Sequence, residues 1–328
     1  MSVKKNVALG WIAAIAVAIM WGVTGVVAKP LTHAIDPLTL VFFRYVTAVT
    51  GLLVIFSLTR KNTYFNKEMG SSLKIDKKDI ALIVFTGIVG QGCYSLFNFL
   101  SLYHIGATEN GVIQGMQPFA TVFFGMMFMN FRMNKIQWAA FILCAICIYA
   151  MSAGPSSSVD GGNELKGYLF VTLSMLSLGW TAYLRQKLAL KYGSVVAMLY
   201  QYIAVAIAGL GMVFFFRLDL SQVHIILASP LLIFLMIFLG TCISGGSYLI
   251  QLYSFKQIGV ENSTMALNLM PLVGYVVAVM ALGEEVSMVK TVSVLLIVVA
   301  LYLFTRYAGS KQEASKKSTK TVALSAEK

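Results

Sequence analysis

Apolar residues run along this chain in long unbroken stretches, with no strict alternation. Ten stretches stand out, at roughly 8–29, 37–59, 79–104, 108–130, 134–152, 166–186, 194–217, 228–257, 261–282 and 287–307. A helix rising 1.5 Å per residue needs about 20 apolar residues to cross a bilayer. Backbone amides in lipid must be paired within the protein, so continuous runs predict transmembrane helices, where barrel strands would alternate. Pro30 and Pro37 bracket the first short connection, 60–78 is the long internal loop, and 154–162 (GPSSSVDGG) is a Gly/Ser-rich linker.

The pattern repeats. Gly87, Gly92, Ile105, Gly106 and Pro118 recur 153 residues later as Gly240, Gly245, Ile258, Gly259 and Pro271. Five identities in one register, spread over two helices and their turn, point to duplication. Each half holds five spans, and an odd number makes the second copy enter the membrane from the opposite side. The fold class expected is therefore an all-α membrane protein of ten transmembrane helices in two inverted five-helix repeats. Its parts are a first repeat at 1–153, an extracytoplasmic linker at 154–165, a second repeat at 166–308 and a disordered cytoplasmic tail at 309–328. Inverted repeats underlie alternating access in many secondary transporters, with substrate held near the midplane.

Polar positions inside the spans fall in stripes. Gln91, Tyr94, Ser95, Asn98 and Ser101 share one face of the third helix, and the same register in the eighth gives Ser244, Ser247, Tyr248, Gln251 and Ser254. The fourth helix adds Asn110, Gln114 and Gln117 before Pro118; the ninth adds Thr264 and Asn268 before Pro271. Single Ser and Thr residues read as interhelical hydrogen bonds. The larger groups together predict a hydrated cavity lined by Tyr94, Asn98, Gln114, Tyr248, Gln251 and Asn268. Each proline removes a backbone hydrogen bond within its span and predicts a bend in the cavity wall. The fifth and tenth helices are almost wholly apolar, as expected of rim helices facing lipid.

Composition agrees: 12% of residues are charged, about half the share of a soluble globular chain, so too little polar surface exists to cover a soluble core. The net charge of +12 at first suggests nucleic acid. With the N-terminus cytoplasmic, however, twenty Lys and Arg fall on that side and only Lys29, Lys166, Arg217 and Lys290 on the other. That asymmetry is the signature of topology, and it places both termini in the cytoplasm and removes the case for nucleic acid. Arg44, about 10 Å into the second helix, binds an anionic part of a substrate in one reading and anchors the helix by snorkelling in the other. Glu109 and Glu261 open the fourth and ninth helices, where acids suit the helix dipole. Cys144 and Cys147 share a helix face with no further ligand nearby. No enzyme motif is present, so no catalytic residue, cofactor or metal is expected.

These residues resemble the EamA-type branch of the drug/metabolite transporter superfamily. The resemblance rests on the duplicated unit, on Trp21-Gly22 with Lys29, Phe43-Arg44-Tyr45 and Trp180 with Tyr183, and on the turns Ile-Gly-Ala-Thr-Glu-Asn and Ile-Gly-Val-Glu-Asn. Gly283-Glu284-Glu285 is similar to the family's Gly-Glu pattern, while its first-half counterpart, Asn130-Phe131-Arg132, departs from it. The resemblance implies export of amino acids or related small metabolites across a bacterial inner membrane, by a monomer or weak dimer. Trp21, Trp180 and Tyr183 join the candidate binding residues, although Trp and Tyr also favour membrane interfaces. A nucleotide-sugar or phosphorylated-sugar exchanger, a receptor or structural subunit, and a channel are the alternatives; the first calls for several cationic cavity residues.

Overall fold

The computed structural model describes residues 6–59, 73–129, 132–152, 163–217 and 220–326. Most of the expected long loop and linker lies outside them. The described residues form ten helical spans. They are α1 Val7–Ala34, α2 Pro37–Thr59, α3 Lys77–Leu102, α4 107–129, α5 Lys135–Ser152, α6 Glu164–Tyr192, α7 Ser194–Phe215, α8 Pro230–Gly259, α9 Asn262–Leu282 and α10 Met288–Ala326. All but α4 are individually long and apolar enough to cross a membrane. Large apolar side chains such as Leu53, Ile146, Phe215 and Phe234 are exposed around the outside, as a lipid-facing surface requires.

The α4 span is divided at Met116 into Ala107–Gly115 and Gln117–Met129. Pro118 lacks the N–H that would continue the ladder back to Gln114, and the helix breaks two residues before it. The ninth span does the same before Pro271, with a tight turn at Leu267–Leu269. Within α1 the helix breaks at Val23, yet it then passes through Pro30 to Ala34, beyond the expected end. At the other side of the bundle α6 continues to Tyr192, where Gly193 at φ 86° stops it.

The duplicated glycines have a local structural counterpart. Thr86–Gly92 in α3 and Phe238–Gly246 in α8 are π-helical, one wide stretch per repeat at equivalent positions. A π segment leaves backbone groups without a regular partner, and here tyrosine hydroxyls serve them. Tyr45 donates to the Gln91 carbonyl at 2.8 Å, and its counterpart Tyr202 donates to the Ser244 carbonyl at 2.9 Å. The glycines also allow close crossing. A Cβ on Gly87 would lie 2.7 Å from the Gln201 carbonyl oxygen, and one on Gly240 the same distance from that of Arg44.

The halves interlock. The first helix of each packs against the third of the other, α1 on α8 and α6 on α3, while α2–α7, α4–α9 and α5–α10 pair with their own counterparts. This is the arrangement of two five-helix repeats related by a two-fold axis. One expectation changes. The fifth and tenth helices are not simply lipid-facing: they pack on each other through Cys144, Cys147, Ile297, Ala300 and Leu301, all buried. A wholly apolar helix carries no polar face to distinguish a lipid side from a packed one. Below, the terminus end is the one where α1 begins, and the linker end the one where α5 finishes and α6 begins.

Candidate functional site

A cavity of about 590 Å³ lies between the repeats, within the usual range for small-molecule sites. Both halves build it. In α6, α9 and α10 its wall comes from the terminus-end portions, among them Leu178, Arg185, Thr264, Asn268 and Thr305. The breaks in α1, α4 and α9 all face it, through Gly22 and Thr24, Gly115 and Gln117, and Leu267 and Met270. The prolines therefore shape the wall.

Eight of the ten candidate residues line this cavity: Trp21, Arg44, Tyr94, Asn98, Gln114, Tyr183, Tyr248 and Asn268. Trp21 Nε1 donates to Ser247 Oγ at 2.8 Å, and its ring lies 5.4 Å from that of Tyr248. Gln114 Nε2 donates to Ser174 Oγ at 2.9 Å, and Ser174 donates to the Tyr94 carbonyl at 2.8 Å, which ties α4, α6 and α3 together. Asn268 Nδ2 donates to Thr305 Oγ1 at 2.8 Å. Asn98 is 1% exposed, and both of its side-chain amide atoms are buried without a hydrogen-bond partner. Arg44 is 5% exposed. Its Nε donates to Ser244 Oγ at 3.1 Å, its guanidinium lies 5.4 Å from the Phe99 ring centre, and Nη1 is buried without a partner.

Two candidates lie elsewhere. Gln251 is buried but outside the cavity wall. It stands three residues past Tyr248, about 60° round the helix, and the wide turns before it shift the stripe away from the α3 register. Trp180 is 47% exposed on the outer surface, stacked on Phe124. Gly179 turns its own face to α4, where a Cβ would meet Ala120 at 2.7 Å, so the next side chain points outward.

Arg185 is the residue that sequence reading missed. Counted there among the cytoplasmic basic residues at the end of the sixth span, it lines the cavity. Its Nη2 donates to the Leu178 carbonyl at 3.1 Å, and its Nε is buried without a partner. The usable signal was Gly193: a helix running to that cap puts position 185 two turns inside it.

The linker end is closed by charge. Lys29 pairs with Glu284 at 3.4 Å, and Lys290 with Glu109 at 2.8 Å, all four side chains buried. Glu284 also accepts from the amides of Ala107 (2.6 Å) and Thr108 (3.1 Å), capping α4. Both carboxylates crowd Gly106, where a Cβ would overlap Glu109 and approach Glu284 Oε1 to 3.0 Å. Burial pushes the Glu284 pKa up, but Thr108, the Lys29 charge and the Ala107 amide outweigh it, leaving it below the ordinary glutamate value. At the terminus end a more exposed cluster joins α3 to α6, with Lys191 Nζ 2.6 Å from both Asp76 and Asp79.

Comparison with known proteins places this architecture. A solved crystal structure superimposes with TM-score 0.63 at 15% identity, over 93% of this chain and 99% of the other, a likeness of fold alone. An uncharacterized transporter of Haemophilus influenzae is 24% identical over 275 residues, covering 82% of this chain and 83% of the relative. The EamA-like transporter family model matches twice, at residues 8–153 and 165–306, one match for each repeat read from the sequence. The chain therefore belongs to the EamA-like transporter family: it is a multi-pass membrane transporter of a small-molecule substrate, not an enzyme.

Proposed function

We propose that this protein is a secondary transporter that exports amino acids or related small metabolites across a bacterial inner membrane by alternating access, with both termini cytoplasmic. The observation that carries the reading is the cavity: it is shared by the two repeats, reaches along the terminus-end halves of α6, α9 and α10, and is shut at the linker end by two buried ion pairs. In this orientation the cavity faces the cytoplasm and loads substrate there. Arg44 holds an anionic group, Trp21 and Tyr248 supply an aromatic face, and Asn98 offers a donor and an acceptor. Rocking of the repeats about the breaks at Val23, Met116 and Leu267–Leu269 then parts the ion pairs and closes the terminus end. The breaks are already bent, so little helix has to be unwound.

The test is efflux from proteoliposomes loaded with a panel of labelled amino acids and small organic acids. Saturable efflux of a subset, blocked when Asn98→Trp fills the cavity, is expected. Efflux indifferent to Asn98→Trp would refute the assignment of this cavity. Reporter fusions after Arg60, Pro155 and Lys320 are expected to read inside, outside and inside. An inside reading at Pro155 would contradict the inverted arrangement.

A further inference from the structure

Among the described residues, the cavity wall carries two charged side chains, Arg44 and Arg185, and no carboxylate. The carboxylates nearest the bundle interior, Glu109 and Glu284, face lysines at the linker end. Two guanidiniums thus border one cavity within the membrane, where uncompensated charge is costly. Lipid headgroups do not relieve them by snorkelling. Arg44 is 95% buried, its Nε held by Ser244. Arg185 folds back along its own helix to the Leu178 carbonyl, about two turns earlier in α6 and away from the nearer headgroups. Each keeps one buried N–H group without a partner, Nη1 of Arg44 and Nε of Arg185. Both line the same cavity, together with Tyr94 and Tyr202. On the same wall Asn98 leaves a donor and an acceptor unused.

We infer that the preferred substrates are small organic acids bearing two anionic groups on a short carbon frame, one group held by Arg44 and the other by Arg185. The inference rests on the transport reading for its biological meaning, but binding tests it independently. A single anionic group compensates one guanidinium and leaves the other unmatched. A neutral amino acid does no better, because its ammonium finds no carboxylate on the wall. Two carboxylates, or a carboxylate and a phosphate, match both sites, since guanidinium forks accept either group.

The experiment uses the full chain in lipid nanodiscs. Affinities for succinate, 3-phosphoglycerate, butyrate and leucine are measured from ligand-induced shifts in melting temperature, beside efflux from proteoliposomes. Succinate or 3-phosphoglycerate is expected to bind at least about tenfold more tightly than butyrate and leucine, the scale of one charge-assisted hydrogen bond. Comparing the two diacids separates dicarboxylate from phosphate recognition. Arg185→Gln is expected to abolish the preference, and Arg185→Lys, which keeps the charge, to retain part of it. Equal binding of mono- and diacids, or an undiminished preference in Arg185→Gln, would overturn the inference. Efflux of leucine without diacid binding would sink it too, while leaving the transport reading intact. Selective diacid binding lost in Arg185→Gln but with no efflux would uphold it and refute transport.

Discussion

At the scale of single residues, Arg44 carries most of the binding argument. Its head is buried and one N–H group is unmatched, so the side chain meets the cavity and not the headgroups. A guanidinium can hold a carboxylate through two parallel hydrogen bonds, and an ammonium cannot. Arg44→Lys and Arg44→Ala are both expected to lose about tenfold or more in substrate affinity, measured as KM in proteoliposomes with folded variants. Normal transport by Arg44→Lys would return the residue to an anchoring role. Residues of this kind were legible in the sequence because polar side chains at helical spacing share a face, which is how Tyr94, Asn98, Gln114, Tyr248 and Asn268 were found. Arg185 was not, because a basic residue near an apolar run's end reads as a loop charge unless the helix is followed to its glycine cap. Gln251 and Trp180 were misplaced because a stripe assumes uniform helical pitch and an outward-pointing tryptophan looks the same in sequence as an inward one.

At the scale of elements, the repeat was legible but the reason for its glycines was not. A glycine pair at a fixed interval marks duplication; that it sits in a π-helical stretch crossed closely by a neighbour appears only in three dimensions. A Cβ on Gly240 would overlap the Thr47 hydroxyl and stand 2.7 Å from a backbone oxygen. Gly240→Ala is therefore expected to destabilise the protein by about 1–3 kcal/mol through overpacking, read as a lowered Tm. Gly211, with open space where its Cβ would be, is the control, and Gly211→Ala is expected to leave Tm nearly unchanged. The linker-end pairs make a second element-level prediction. In the sequence Glu109 read as a helix-opening acid and Glu284 as part of a Gly-Glu pattern, and their lysine partners are remote in the chain. Lys290→Met leaves Glu109 without its 2.8 Å counter-charge in a buried site, a change expected to cost about 3–5 kcal/mol. Because the closed linker end alone bears that cost, a single cysteine in place of Ile105, which is buried beside the pairs and larger than its replacement, should become more reactive to an impermeant thiol reagent added from the linker side. Unchanged reactivity would mean that the pairs do not hold the gate.

At the scale of the whole molecule, the account is of two repeats that share one cavity and exchange its exposure between the two ends. Its pH dependence follows from Glu284. A carboxyl whose folded pKa is depressed stabilises the folded arrangement above its ordinary value, and that contribution disappears as pH falls through the lowered pKa. The closed linker end is thus expected to be intact at neutral pH and to loosen under acid conditions, below the ordinary glutamate range. Spin labels can follow both ends in liposomes, one pair at Leu165 and Val286 and another at Leu190 and Tyr307, all exposed positions. On acidification, pulsed dipolar distances are predicted to lengthen for the first pair and shorten for the second, the reciprocal movement that alternating access requires. Distances that stay fixed at both ends, or that lengthen together, would contradict the account.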